Sequence, residues 1–297
     1  MFAPYRPCTV LGCMAKNLLF RIGLGGLLKR ALRGLRREET WATLPLAQVR
    51  DHVTAIHRRL TSHASMAEAD LAGRVALEIG PGTDLGVALL FLMNGCRRVV
   101  VVDEARSVSS AGAERLYRRL VAARGADPQA FLGDAHGLSR DRLSYYPSTP
   151  FESFDALAQS SVDVIYSHHV LEHTGDLQAC FANMFRLLKP GGHCMHVVDL
   201  SGHGEFHDPQ DPLGFLRYPP HLYDWMYSCR RGVNRARLGA YVEAAERAGL
   251  DGVDITVLGR AAPGYVKRIR PLLWRDMARL PAAELAVTSF SLLARKP

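Results

Sequence analysis

The chain of 297 residues has no apolar run near the roughly 18 residues that a membrane-spanning helix needs, so nothing in its pattern reads as a span. Cysteine is sparse: Cys8, Cys13, Cys96, Cys180, Cys194 and Cys229, with no CxxC pair among them. That excludes a disulfide-stapled mini-domain and a cysteine-cornered zinc site. Buried free thiols in a reducing compartment, the cytoplasm, are the expectation. A clean signal peptide is missing, because Lys16 and Arg21 interrupt the apolar N-terminal stretch. Residues 1–37 contain no acid, as in a transit peptide, but they also contain no serine, which argues against one. Internal repeats and low-complexity tracts are absent too.

What is present is a globular composition, 48% hydrophobic and 22% charged, that a disordered chain would not have. The formal charge of +8 is unevenly placed. Residues 1–40 hold eight basic and two acidic residues, and residues 260–297 hold the same numbers. The middle is therefore mildly acidic. A uniform nucleic-acid-binding surface would not be distributed in this way. Basic ends suit an anionic surface or simple solvation.

Residues 24–37 read as an amphipathic helix. Leu24, Leu27, Leu28, Ala31, Leu32 and Leu35 follow the i, i+3, i+4 rhythm, with Lys29, Arg30, Arg33, Arg36 and Arg37 between them. Such a helix lies on an anionic membrane or packs on the protein's own core. Peripheral membrane contact through residues 18–37 is one expectation. Residues 46–70 look helical as well, and 1–72 reads as a basic helical extension ahead of a domain over 73–297.

From Arg74 strands alternate with helices. Val75–Ile79, Arg98–Val102, Ala130–Leu132, Val162–Tyr166, His193–Val198, Val253–Leu258 and Leu285–Leu293 read as strands. Helices are expected over 85–93, 107–123, 176–188 and 237–249, and Lys189-Pro190-Gly191-Gly192 reads as a turn. The alternation predicts an α/β fold with a mostly parallel, seven-stranded sheet and helices on both faces. An insert at about 201–234, rich in His, Pro, Tyr and Gly, breaks the pattern. Loops beyond the strand ends of such sheets commonly bind substrate.

The strongest chemical signal is Glu78-x-Gly80-x-Gly82 at the end of a buried strand. Glycines there let the backbone approach a ligand without a Cβ in the way. The helix that follows offers N–H groups to an anionic or polar group. Asp103 closes the next strand 21 residues after Gly82, where a carboxylate accepts from ribose hydroxyls. Gly80, Gly82 and Gly86 form G-x-G-x-x-x-G, one residue longer than the dinucleotide fingerprint.

At these residues the chain resembles the class I S-adenosylmethionine-dependent methyltransferases. The resemblance rests on Glu78 to Thr83, on Val102-Asp103, on Gly133-Asp134-Ala135, on Asp163 through His173, and on Leu187 through Gly192. It implies the Rossmann-like methyltransferase fold and S-adenosyl-L-methionine as cofactor. It implies that Gly80 and Gly82 lie under the methionine part and that Glu78 holds the ammonium end. It further implies that Asp103 binds the ribose, that Asp134 and the Ala135 N–H read the adenine, and that Ser167 and His168 line the wall beside the sulfonium. Val197 through His203, Gly232 through Arg237 and Ala248-Gly249-Leu250 resemble a bacterial group linked to glycan or natural-product modification. That group usually has an aromatic after the Asp-His pair, where this chain reads His203-Gly204-Glu205-Phe206.

Methyl transfer from a sulfonium is an in-line displacement, and a hydroxyl acceptor needs a base. His168, His169, His203 and His207 are candidates, with His169 and His203 preferred as catalytic residues. Glu172 and His173 read as a brace of the local turn. His203, His207, Asp208 and Asp211 match no zinc spacing and offer too few carboxylates for magnesium, so no metal is expected. Arg217, Tyr218, Trp225 and Tyr227 read as a core face, with stacking on an acceptor as the other option. The expected function is O-methylation of a sugar, glycolipid or natural product. N-methylation of a small molecule and a non-catalytic, cofactor-binding tether are the alternatives.

Overall fold

Runs such as Val99-Val100-Val101-Val102 have no polar face, so they must be covered on both sides. The computed structural model of the chain has that arrangement. It describes residues 7–24, 45–64, 68–82, 84–105, 110–123, 125, 141–228, 232–262 and 264–297. The strands are β1 (Val75–Ile79), β2 (Arg98–Asp103), β3 (Leu143–Pro147), β4 (Val162–His168), β5 (Leu188–Asp199), β6 (Asp251–Arg260) and β7 (Val287–Arg295). They form one seven-stranded sheet in the order β3-β2-β1-β4-β5-β7-β6. β1 pairs in parallel with β2 and β4, β2 with β3, and β4 with β5. β7 runs against β5, as the exchange of bonds between Gly191, Gly192 and Lys296 shows. The chain folds into two units: Glu39–Val198 with Tyr241–Thr256 and Ser291–Pro297, here the sheet unit, and Met1–Glu38 with Asp199–Ala240 and Val257–Phe290, here the split unit.

In the sheet unit alternate strand residues face opposite ways. Ala76, Val99, Val101, Val164, Tyr166 and Val197 point to one side. There they meet helix α2 (Leu46–His63), through Val49, Val53 and Leu60, and helix α3 (Gly86–Met93). Phe91 stacks flat on Tyr166, with ring centroids 4.1 Å apart. A Cβ on Gly86 would come 2.5 Å from Val53 Cγ1, so glycine permits the α2–α3 approach. On the other side His196 meets the edge of Phe181 from helix α5 (Leu177–Leu187), where α4 is Ser110–Ala123.

Several details depart from expectation. The third strand is Leu143–Pro147, a sheet edge with only Leu143 fully buried, so it lacks the apolar run that marks a strand in sequence. The expected strand at 130–132 lies outside the described residues. The expected turn at 189–192 lies inside β5, which slips register against β4 between Val162 and Val164, and Gly191 there has φ +74°. Cys13, Cys96, Cys180 and Cys194 are buried and free, while Cys8 is exposed; Cys229 lies outside the described residues. Burial pushes the Cys96 thiol up to about 12, which leaves it inert.

The split unit has its own aromatic core: Phe206, Phe215, Tyr218, Tyr223, Tyr227 and Tyr265 with Leu213, Met226, Ile269 and Leu285. Buried within it, Arg217 pairs with Asp211 at 2.7 Å, and the Tyr265 hydroxyl donates to the other Asp211 oxygen at 2.7 Å. With both oxygens held, the buried charge is compensated. Arg237 donates to the carbonyls of Leu200, at 2.7 Å, and Val287. Helix α1 (Pro7–Arg21) packs on helix α6 (Pro220–Tyr227). Asn17 donates to the Trp225 carbonyl at 3.0 Å, and Lys16 pairs with Glu205 at 2.9 Å. The helix expected at 24–37 falls, apart from Leu24, outside the described residues. Arg217, Tyr218 and Tyr227 are core, as one of the two readings had it, but Trp225 is 67% exposed. The helix after residue 237 is α7 (Leu238–Arg247). Among the described residues no helix is long and apolar enough to cross a membrane.

Candidate functional site

In the sheet order β3-β2-β1-β4-β5 the chain reverses direction of travel between β1 and β4, the switch point at which sheets of this kind bind ligands beyond the carboxyl ends of their strands. Register fixes which residues line it. Ile79 pairs with Val102 and with Ser167, so the ends of β1, β2 and β4 are level. Gly80 donates its N–H to the Val102 carbonyl at 2.8 Å, which ties the glycine turn to the strand that ends in Asp103.

Gly80 has φ +63°, and a Cβ there would lie 2.7 Å from Val170 Cγ2. Any side chain would force the turn away from the strand ends. Gly82, at φ +71°, has nothing within 4 Å of where its Cβ would be, so it faces open space. The expected N–H groups of the following helix are in large part engaged by the chain itself. Gly86 donates to Asp84 Oδ1 at 2.7 Å, Leu85 to the Tyr117 hydroxyl at 2.6 Å, and Ala88 to the Glu78 carboxyl. The helix start therefore holds this protein's own acids rather than a free anion.

Both acids are held above the usual carboxylate range. Burial first, and then the neighbouring Asp84 carboxylate, push Glu78 up to about 8, even though the Tyr166 hydroxyl donates to it at 3.3 Å. Asp84 is raised as well, chiefly by burial. A carboxyl held neutral by desolvation becomes ionised when a positive ligand group arrives. Asp103 is 5% exposed; its Oδ1 accepts from the Ala105 N–H at 2.9 Å and its Oδ2 from the Tyr145 hydroxyl at 3.1 Å. Those two bonds fix the plane of the carboxylate. A buried, neutral acid on β1, an oriented acid on β2 and an uncluttered glycine turn suit a ligand with a cation at one end and hydroxyls at the other.

The β4 end is occupied by imidazoles. Ser167 is fully buried and shares a 2.8 Å hydrogen bond with His196 Nδ1, so its hydroxyl is turned into the fold. Burial pushes His196 down to about 3. His168 also lies at about 3, lowered by burial and then by His169. Its Nε2 is buried without a hydrogen-bond partner among the described residues. A neutral ring of this kind does not repel a neighbouring cation. His169 stacks on it with ring centroids 4.0 Å apart and sits at φ +56°, a strained conformation for a non-glycine residue. Its N–H donates to the Val197 carbonyl at 2.8 Å. Glu172 is fully buried in the short turn 171–173.

In the split unit, His203 Nε2 lies 3.2 Å from Asp199 Oδ2. Burial raises Asp199, but the bonds from His203 and from Ser201 outweigh it and hold the carboxyl well below its usual range. A carboxylate that grips one ring nitrogen orients the imidazole. His207 is exposed, and Asp211 is committed to Arg217 and Tyr265. Asp134 and Ala135 lie outside the described residues. Sequence reasoning had no role for Tyr145, Tyr166, Asp84, His196 or Asp199. Only Asp199 left a usable trace, an acid four residues before a histidine.

A family model described as "Methyltransferase domain" matches residues 50–255. No curated protein matches. Among solved structures, phosphoethanolamine N-methyltransferase 2 of Haemonchus contortus, in complex with S-adenosyl-L-methionine, is similar at a TM-score of 0.50 and 18% identity, covering 83% of this chain and 52% of that one. This chain thus spans about half the length of the nematode enzyme. Geranyl diphosphate C-methyltransferase from Streptomyces coelicolor is similar at a TM-score of 0.47 and 14% identity, covering 82% of this chain and 76% of that one. Likeness at such identities is a likeness of fold.

Proposed function

We propose that this chain, which belongs to the methyltransferase-domain family, uses S-adenosyl-L-methionine to O-methylate a sugar, glycolipid or related natural product. One observation carries the reading: Glu78, Gly80 and Asp103 converge at the switch point of the sheet, and burial and the neighbouring Asp84 hold Glu78 neutral. The cofactor, when bound, supplies an electrophilic methyl carbon on a sulfonium. In this reading Glu78 ionises against its ammonium end and Asp103 takes the ribose hydroxyls. Gly80 and Gly82 keep the turn low beneath it, and Ser167 and His168 close the wall with neutral groups. Asp134 and Ala135 are the adenine contacts.

The oxygen acceptor rests on the imidazoles. Asp199 and His203 form a pair equipped to take a proton from a hydroxyl, and His169 is the second candidate. The glycan or natural-product class rests on the resemblance of residues 197–203 and 232–237, and a glycolipid acceptor agrees with membrane contact through residues 18–37. N-methylation of a small molecule, the competing reading, needs no such base.

The direct test incubates the purified chain with methyl-labelled S-adenosylmethionine and fractionated lipids, glycans and small metabolites. Mass spectrometry then locates the methyl. The expected product carries it on an oxygen of a glycan-like fraction. A methyl on nitrogen selects the competing reading, and cofactor binding without any labelled product selects the non-catalytic tether.

A further inference from the structure

We propose that the outward face of α1, assisted by Trp225, seats this protein on an anionic lipid bilayer. Surface helices normally turn their apolar stripe inward. Here Val10, Cys13, Met14 and Asn17 are turned inward, yet a second apolar stripe is left outside: Leu11 is 66% exposed and Leu18 and Ile22 are each 57% exposed. Ile22 continues the helical turn by donating its N–H to the Leu18 carbonyl at 3.0 Å. At 100° per residue, Leu11, Leu18 and Ile22 fall within roughly 40° of one another. Cys8, Gly12 and Ala15 are exposed on one flank of this stripe, and the exposed Arg21 borders the other, where it suits an anionic surface. Leu24, just beyond, is 44% exposed, and Trp225 is the most exposed large apolar side chain among the described residues at 67%. The Asn17 bond to its carbonyl fixes the backbone of Trp225 beside α1.

Charge selects the occupant. The split unit holds 19 basic and 8 acidic residues, a net of +11, against −3 for the sheet unit. A second copy would bring the same excess to the contact and be repelled. An anionic bilayer attracts it, accepts Leu and Ile into the acyl boundary, and favours Trp at the headgroup level. No described helix is long enough to span, so α1 lies in the surface plane. The inference deepens the membrane contact in the reading above, but it stands on α1 and Trp225 and on lipid binding alone.

The test is co-sedimentation of the full chain with phosphatidylglycerol–phosphatidylcholine vesicles, against vesicles of phosphatidylcholine only. The wild type should bind the anionic vesicles and release as salt rises. Leu18→Ser with Ile22→Ser should lower partitioning by about tenfold or more, and Trp225→Ala by a smaller factor. Titration with S-adenosylmethionine, unchanged in these variants, shows that they remain folded. Undiminished binding by the double variant, or no binding by the wild type, overturns the inference. So does a wild-type dimer that the double variant converts to monomer without any lipid binding. If lipid binds while S-adenosylmethionine does not, the functional reading fails and the docking face stands.

Discussion

The two units differ in how their residues come together and in the charge they carry. The sheet unit is acidic by three charges, and most of it is one continuous stretch, Glu39–Val198. The split unit is basic by eleven and is assembled from three stretches separated by more than a hundred residues in one case. The first holds Glu78, Gly80 and Asp103, the groups proposed for the cofactor, at the ends of neighbouring parallel strands, where register alone makes them level. The second closes around aromatic rings and buried polar ties, Asp211 to Arg217 and Tyr265, and Arg237 to three carbonyls. A site built on local strand–turn–helix geometry needs little from distant sequence. A core stitched from separate segments depends on long-range bonds that must all form at once.

The sharpest way to divide the two is by the chemistry assigned to each. His203→Ala should lower turnover on the order of 10²-fold or more, because a positioned base contributes at least that much. Affinity for S-adenosylmethionine should stay near the wild-type value in calorimetry. Asp199→Asn should follow in the same direction with a smaller loss, on the order of tenfold. An unchanged rate in His203→Ala removes that residue from the reaction and leaves His169.

Paired core truncations come next. Phe91→Ala in the sheet unit and Phe215→Ala in the split unit should each cost about 3–5 kcal/mol in denaturant unfolding. They should differ in what they do to ligand binding. Phe91 stacks on Tyr166, which bonds Glu78, so its loss should loosen cofactor binding. Phe215 packs in the aromatic core of the split unit, and binding below the melting temperature should persist. Equal effects on binding would break the distinction between the units.

Asp103→Ala should weaken S-adenosylmethionine by about 1–3 kcal/mol, since hydroxyl bonds to a pre-oriented acid are lost. Unchanged affinity would take Asp103 out of the site. The smallest effect is in pH. Glu78 is raised to about 8 in the folded protein against an ordinary carboxylate value near 4.5. Its neutral form therefore supports the fold fully below the unfolded value, and that support is lost as pH rises through about 8. Without ligand, Glu78→Gln should gain stability relative to wild type above pH 8 and show no gain below about 4.5. A cationic ligand reverses the preference. Binding near pH 7 should release a proton and weaken as pH falls, and calorimetry in buffers of different ionisation enthalpy reads this directly. Proton release that survives in Glu78→Gln would assign it to another group.

Legibility in sequence follows the same division. Val75–Ile79 and Arg98–Asp103 could be read because parallel central strands are apolar without interruption, and Glu78, Gly80 and Asp103 stand at their ends. Leu143–Pro147 could not be read, since an edge strand has one neighbour and needs no such run. With it went Tyr145, the residue that orients Asp103. Lys189–Gly192 has turn composition, yet pairing with a neighbouring strand absorbs it into β5. Helix α1 has apolar residues on both sides, Val10, Cys13 and Met14 inward and Leu11, Leu18 and Ile22 outward, so periodicity could not say which side is covered.

By itself the order of residues determined the alternating α/β architecture, the family, and which acids and glycines close the first two strands, because periodicity and turn chemistry are local properties of the chain. Only the tertiary structure decided that burial beside Asp84 holds Glu78 neutral, that Asp199 grips His203, that Arg217 is buried against Asp211, and that Leu11 and Leu18 of α1 face outward. Each of those depends on what surrounds a side chain, and burial and partnership are settled between residues far apart in the chain once the whole of it has folded.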